Sequence, residues 1–218
     1  MNPKQINTII PILKKEVEKF GVPIVTEFSR QEYDPFKVLI STVLSLRTKD
    51  ETTREASLRL FKKAATPQKM VKLKQKEIEK LIYPVGFYHT KAKNILNICA
   101  ILLDQYKGKV PDSIDELLKL KGVGRKTANL VVTLGYGKYG ICVDTHVHRI
   151  SNRLGYINTK NPHDTEFALR KILPKKYWII YNDILVTYGQ NICKPISPLC
   201  TKCPINKYCD KRDVKKSR

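Results

Sequence analysis

The sequence is short of acidic residues and of long apolar runs. Only 20 Asp and Glu stand against 41 Lys and Arg, which gives a formal net charge of +21. This excess favours a polyanionic partner, and a scattered, solvated basic surface is the simpler alternative. No apolar run approaches the roughly 20 residues of a membrane-spanning helix, and the first residues lack a signal-peptide pattern. We therefore expect a soluble cytoplasmic protein that does not act at a membrane.

Cysteine is scarce along most of the chain and concentrated in one segment. Cys99 and Cys142 lie in apolar stretches, where a thiol behaves as a small buried hydrophobe. In a reducing compartment a dense group of cysteines favours a metal site over disulfides. Four thiolates suit either Zn²⁺ or a [4Fe–4S] cluster, and the single short C-x2-C pair favours the cluster. The four residues follow the spacing C-x6-C-x2-C-x5-C: Cys193, Cys200, Cys203 and Cys209.

Hydrophobic periodicity predicts an all-α protein. Apolar residues recur at helical spacing through 36–46, 50–64 and 89–108, and turns containing Gly or Pro separate them. Residues 139–143, YGICV, have the composition of a short strand without an evident pairing partner. The polar segment 210–218, DKRDVKKSR, has the composition of a disordered tail.

A turn with two glycines joins two predicted helices within LKGVGRKTANLVV, residues 120–132. Glycines leave the backbone N–H groups uncovered, and a helix N-terminus beside them makes a site for a phosphate. The pattern is that of a helix-hairpin-helix DNA-backbone binder, and an ordinary helical corner is the alternative. Cations oppose the helix dipole at this end, so their presence favours the binding interpretation. The candidate DNA contacts of the turn are Lys121, Gly122, Val123, Gly124 and Arg125.

Lys126 lies in the first turn of the helix that follows the glycines. The next residues are mostly apolar, so we expect this helix to be largely buried. Desolvation, the helix dipole and the neighbouring cations Lys121 and Arg125 all favour the neutral amine. A neutral amine is a nucleophile that can form a Schiff base with a sugar carbon. The alternative is a lysine that contacts a phosphate.

LKGVGRKTAN, followed by VDTHVHRISNRLG at 143–155, resembles the helix-hairpin-helix–Gly/Pro–Asp DNA glycosylases. The likeness is strongest to their endonuclease III branch and runs from about residue 5 to residue 210. It implies that Lys126 is the nucleophile. It also implies that Asp144, 18 residues later, stabilises the cationic sugar or helps to deprotonate the lysine. Asp144 also has the position of a helix N-cap, and the two roles are compatible. His146 follows as a phosphate contact or a polar-face residue.

The same resemblance assigns the cysteine segment and two loops. The spacing over 193–209 is that of the endonuclease III cluster loop, which implies a structural [4Fe–4S] cluster. LSLRTKD at 44–50 resembles the loop whose side chain fills the space of a flipped base, here Arg47 in place of the Gln of many bacterial members. This departure leaves the opposite-base preference open. VGFYHTKAKN at 85–94 resembles the second wedge loop, with Phe87 as the intercalating residue or as a packed aromatic.

The resemblance implies two helical domains with a central DNA-binding cleft. One domain, 28–138, would contain the hairpin, and 1–27 with 139–218 would hold the cluster loop. The implied activity is that of a monomeric, bifunctional DNA glycosylase and AP lyase acting on double-stranded DNA. It would remove oxidised pyrimidines and cleave 3′ to abasic sites by β-elimination. The alternatives are a glycosylase for deaminated or mismatched bases, such as uracil or thymine opposite guanine, and a non-catalytic iron–sulfur DNA-binding module.

Overall fold

The computed structural model describes residues 3–20 and 34–218, and this part of the chain contains helices and turns without a β-strand. The predicted all-α class is confirmed. The possible strand at 139–143 does not form, because these residues have no strand to pair with in the described ranges. None of the described helices is long and apolar enough to cross a membrane.

The helices agree with the periodicity of the sequence to within a few residues. The 36–46 helix begins at Pro35, because the Asp34 carboxylate caps it by accepting hydrogen bonds from the backbone N–H groups of Phe36 (2.9 Å) and Lys37 (3.2 Å). In chain order they are α1 (Ile6–Val17), α2 (Pro35–Ser45), α3 (Asp50–Lys63), α4 (Pro67–Met70), α5 (Gln75–Ile82), α6 (Tyr88–Tyr106), α7 (Ile114–Leu118), α8 (Arg125–Leu130), α9 (Thr145–Arg153), α10 (Pro162–Ile172) and α11 (Trp178–Asn191). A π-helical turn, Val131–Gly135, continues α8.

The chain divides into two compact units, Ile24–Lys138 and Met1–Pro23 with Tyr139–Arg218. The predicted domain boundary at residues 27 and 28 lies outside the described residues. We call the first unit the hairpin unit and the second the cysteine unit.

The hairpin unit is built around α2, whose residues from Val38 to Leu44 are all buried. This helix packs against α3, α8 and the π-helical turn. Gly135 ends that turn against Pro35, and a Cβ on Gly135 would lie 3.0 Å from the Pro35 Cα, so the close approach needs glycine. The helix that follows the two-glycine turn is thereby fixed to the centre of its unit.

The cysteine unit has its own core, in which α1 and α9 pack against α11. Ile9 and Leu13 of α1 and Tyr181 and Leu185 of α11 are fully buried in it. Burial of these apolar side chains is the main source of stability for such a small unit.

The polar tail 210–218 is bonded to the rest of the cysteine unit. The backbone N–H of Arg212 donates to the Arg153 carbonyl (3.1 Å), and that of Arg218 donates to the Pro198 carbonyl (2.8 Å). The Arg218 carbonyl accepts from the N–H of Thr201 at 3.0 Å. The expectation of a disordered tail is therefore wrong, because main-chain pairing orders a segment whose side chains give no apolar signal.

Candidate functional site

The two-glycine turn is a tight, exposed hairpin between α7 and α8. Gly122 has φ +89°, a conformation that favours glycine, and a Cβ there would lie 2.7 Å from the Asn94 Nδ2, which would have to move. Gly124 caps α8 with no atom within 4 Å of the Cβ position, which leaves its face open. Lys121 is exposed beside them. Such an arrangement suits a phosphate oxygen.

Val123 has a different place in the turn from its neighbours. Its side chain is buried, and its N–H already donates to the Leu120 carbonyl at 3.0 Å. Val123 therefore offers neither an available N–H nor an exposed side chain for the predicted DNA contact. The residue anchors the hairpin to the unit instead.

Lys126 lies in the first turn of helix α8, and the part of this helix that follows it is buried. Arg125 and Lys126 are half-buried in its first turn, and the four residues that follow, 127–130, are all buried. The Asn129 side chain donates to the Arg125 carbonyl at 3.0 Å, which fixes the main chain beneath the two cations. The prediction of a largely buried helix with Lys126 at its N-terminal end is confirmed.

Asp144 caps α9 in the cysteine unit. Its Oδ1 accepts hydrogen bonds from the backbone N–H groups of His146 and Val147, both at 2.9 Å, which confirms the N-cap interpretation. Both bonds involve the same oxygen, so Oδ2 lies outside the capping interaction. The half-buried His146 places its Nδ1 3.1 Å from the Arg149 Nη2. The cap therefore holds the carboxylate in a fixed orientation.

The four cysteines line one cavity. Apolar side chains, among them Ile150, Leu154 and Ile205, complete its wall. The cavity lies within the cysteine unit, beside the ends of α9 and α11. The structure therefore brings together Cys193, Cys200, Cys203 and Cys209.

Polar groups of α9 and α11 are directed at the sulfurs. The Tyr188 hydroxyl is 2.9 Å from the Cys203 Sγ, and the Arg153 guanidinium donates to the Cys193 Sγ at 3.5 Å. The backbone N–H of Lys211 is 3.4 Å from the Cys209 Sγ. Such donors stabilise sulfur atoms that carry negative charge. Sequence reasoning did not single out Arg153 or Tyr188, since nothing local marks either residue as a neighbour of the cysteines.

The chemistry of this cavity suits a bound metal centre. Burial raises the pKa of the thiols of Cys203 and Cys209, so a positively charged centre would be needed to hold these two as thiolates. Four thiolates are a ligand set that both a Zn²⁺ ion and a [4Fe–4S] cluster accept. The side chains of this cavity therefore fit a [4Fe–4S] cluster, with the four cysteines as its ligands.

Two loops of the hairpin unit present Arg47 and Phe87. Both side chains are exposed, and the Arg47 guanidinium carbon lies 4.8 Å from the centre of the Phe87 ring. The ring is 59% exposed, so Phe87 is not a packed core aromatic. The structure brings the two predicted DNA-entering side chains together as a stacked cation–π pair.

Comparison with known proteins places this geometry in a family. Residues 40–175 match the model of the HhH-GPD superfamily of base excision DNA repair proteins. The endonuclease III of Thermotoga maritima is 50% identical over 196 residues, which are 89% of this chain and 92% of that protein. The chain belongs to the endonuclease III branch of the HhH-GPD superfamily.

Solved structures extend the match to nearly the whole chain. A trapped endonuclease III–DNA covalent intermediate is similar with a TM-score of 0.86 and 37% identity, covering 97% of each chain. A thermostable thymine-DNA glycosylase is similar with a TM-score of 0.74 and 25% identity, covering 91% of this chain and 95% of its own. The superfamily model spans the hairpin and Asp144 and ends at residue 175, before the cysteines.

Proposed function

We propose that this chain is a bifunctional DNA glycosylase and AP lyase that acts as a monomer on damaged double-stranded DNA. The observation that carries the proposal is Lys126 at the N-terminal end of the buried helix α8, next to an exposed glycine hairpin. The hairpin amides and Lys121 supply a phosphate site, and the buried helix fixes the amine relative to that site. A related protein has been captured as a covalent DNA intermediate, which supports the same chemistry here.

The proposed reaction uses one nucleophile and one carboxylate. The damaged nucleotide leaves the duplex stack, and the Lys126 Nζ attacks C1′ as the bond from C1′ to the base breaks. Asp144 stabilises the positive charge on the sugar or accepts a proton from the lysine, while the base leaves with the bonding electrons and is protonated. The bond from C1′ to O4′ then breaks, O4′ takes up a proton, and the opened sugar is joined to Lys126 as a Schiff base, which acidifies the C2′ hydrogen. Its loss expels the 3′ phosphate and nicks the strand 3′ to the lesion.

Oxidised pyrimidines are the proposed substrates. Deaminated or mismatched bases are the second candidate, because the chain is also similar to a thermostable thymine-DNA glycosylase, at lower identity than to endonuclease III. A non-catalytic iron–sulfur DNA-binding module is the third candidate. It leaves the half-buried lysine at the hairpin without a chemical role.

Borohydride trapping on a panel of duplexes tests this proposal. The duplexes carry thymine glycol, uracil opposite guanine, thymine opposite guanine or a preformed abasic site. We expect a trapped adduct with thymine glycol and with the abasic site. Strand nicking should fall by about 10³-fold or more in Lys126→Ala, whereas Lys121→Ala mainly weakens binding. Adducts that persist in Lys126→Ala would exclude it as the nucleophile, and preferential excision of uracil or thymine would favour the second candidate.

We also propose that the cysteine cavity holds a [4Fe–4S] cluster, with one cysteine on each iron. The cluster would link four points of residues 193–209 and supply fold stability, not base-excision chemistry. The supporting observations are the shared cavity and the polar groups directed at the sulfurs. Visible absorption and iron analysis test the proposal. A colourless protein that contains zinc would contradict it.

A further inference from the structure

The stacked Arg47–Phe87 pair lies on two loops with unusual backbone conformations. We call residues 46–49 the filler loop and residues 85–88 the wedge loop. Arg47 has φ +55° and Phe87 has φ +59°, both in the left-handed region, where bulky side chains are disfavoured. Such conformations persist only when surrounding contacts impose them. The contacts that impose them should therefore control how the pair is presented.

Lys91 provides contacts of this kind from the first turn of α6. Only 6% of the residue is exposed, and its ammonium is directed into the space below the filler loop. It donates to the carbonyls of Leu44 at 2.8 Å and Leu46 at 2.5 Å, and to the Thr48 hydroxyl at 3.1 Å. The two carbonyls lie at the C-terminal end of α2, where the helix leaves acceptors without intrahelical partners. The ammonium therefore caps α2 and fixes the start and the third residue of the filler loop.

Thr48 connects the same ammonium to the wedge loop. Its hydroxyl oxygen accepts a hydrogen bond from the N–H of Gly86 at 3.2 Å in addition to the one from Lys91. A Cβ on Gly86 would lie 2.8 Å from the Arg47 carbonyl oxygen, so only glycine allows the two loops to approach this closely. The network thus joins Lys91, both loops and the stacked pair.

Side-chain packing does not explain why a lysine is buried at position 91. Burial lowers the pKa of the Lys91 ammonium to about 8, so the charge is held against a desolvation penalty. An apolar side chain would fill the site without that penalty. The neighbouring Lys93 lies on the same helix and is exposed. The hydrogen bonds of Lys91 therefore offset this penalty, and all three acceptors belong to the filler loop or to the end of α2 before it.

We propose that Lys91 is a positioning residue for duplex recognition, whose buried ammonium holds the filler and wedge loops so that Arg47 and Phe87 are ready to enter a DNA duplex. This inference rests on the proposed function. Extrusion of a base from a duplex needs side chains that occupy the vacated space and wedge the opposite strand. A single strand has no partner strand to be wedged. Loss of Lys91 should therefore impair the reaction on duplex DNA and spare the reaction on single-stranded DNA.

Single-turnover nicking by Lys91→Met, with abasic sites in duplex and in single-stranded oligonucleotides, tests the proposal. We expect the duplex rate to fall by about 10- to 100-fold, since small displacements of positioning groups have effects of this size. The single-stranded rate should change by less than about 2-fold, because Lys126 and Asp144 are untouched. Lys93→Met removes an exposed charge from the same helix and should leave both rates unchanged.

A second variant covers the case in which Lys91→Met does not fold. Thr48→Val preserves the side-chain shape, keeps the ammonium, and removes the hydroxyl that joins the two loops. It should show the same selective loss on duplex DNA. When it binds a duplex with 2-aminopurine opposite the abasic site, the change in 2-aminopurine fluorescence should be smaller than with the wild-type protein. Parallel loss on both substrates, or unchanged duplex rates in either folded variant, would overturn the role of Lys91. An inactive wild-type protein would instead overturn the proposed function, so the two failures are distinguishable.

Discussion

The hairpin unit and the cysteine unit present chemistry in opposite ways. In the hairpin unit, exposed glycines and half-buried cations lie at the end of a buried helix, and the groups that would meet a ligand face outward. In the cysteine unit, the sulfurs line a cavity and side chains of α9 and α11 are directed at them. The first arrangement suits a large ligand that binds reversibly, and the second suits a permanently bound group. Variants at the two-glycine turn should therefore affect DNA binding or activity, and variants of the cysteine cavity should affect stability. Asp144 lies in the cysteine unit but outside that cavity, and its variants should affect activity.

The largest expected effect is at Asp144, where charge and capping can be separated. Asn is as good an N-cap as Asp, so Asp144→Asn should preserve the melting temperature and lower nicking by about 10²- to 10⁴-fold through loss of the carboxylate. Asp144→Ala should show the same loss of activity and a further destabilisation of about 1 kcal/mol. Nicking assays and thermal denaturation measure both quantities. An active Asp144→Asn would reduce this residue to a structural cap.

The next largest effect should follow loss of the cluster. Cys200→Ala removes one proposed ligand, and we expect loss of the visible absorption and a destabilisation of several kcal/mol, because metal binding free energy contributes to folding. Cys99→Ala is the control, since Cys99 is a fully buried cysteine of the hairpin unit and should leave the absorption intact. Iron content and denaturation measured on the same samples decide the outcome. A Cys200→Ala protein that retains full iron would refute this ligand assignment.

The sequence predicts most of the hairpin unit's candidate site because its signals are local. The glycine pair, the cations after it and the apolar face of α8 all lie within 13 residues, 120–132. Asp144 is similarly identified as an N-cap from its immediate context. Lys91 could not be predicted in this way, because its acceptors lie more than 40 residues earlier in the chain. Arg153 and Tyr188 meet the cysteines only through the packing of α9 on α11, and the ordered tail depends on main-chain partners outside its own segment.

A smaller effect is expected at the hairpin glycines. Gly122→Ala would place a methyl group against Asn94 at a left-handed position, so we expect a destabilisation of about 1–3 kcal/mol and weaker DNA binding. Gly124→Ala has open space and φ −97°, and should leave the unfolding free energy within about 1 kcal/mol of wild type. Denaturant unfolding and binding to an undamaged duplex compare the two variants. Equal destabilisation by both would show that the turn does not depend on the conformation of Gly122.

The smallest effect should come from a single hydroxyl in the cysteine unit. Burial raises the pKa of the Tyr188 phenol, so it stays protonated and can donate to the Cys203 sulfur, from which it lies 2.9 Å away. Tyr188→Phe should cost about 1 kcal/mol of stability and accelerate the decay of the visible absorption in air.

Tyr181→Phe is a close control for this prediction. Tyr181 lies on the same helix and is equally buried, and its hydroxyl pairs with Ser151 at 3.0 Å instead of a cysteine. Its removal should cost similar stability and leave the decay rate unchanged, because no sulfur loses a donor. Equal acceleration in the two variants would mean that general loosening of α11, and not the bond to Cys203, controls the lifetime of the cluster. A selective effect of Tyr188→Phe would show that the cysteine unit uses buried donors to retain its group, whereas the hairpin unit leaves its donors open to an incoming strand.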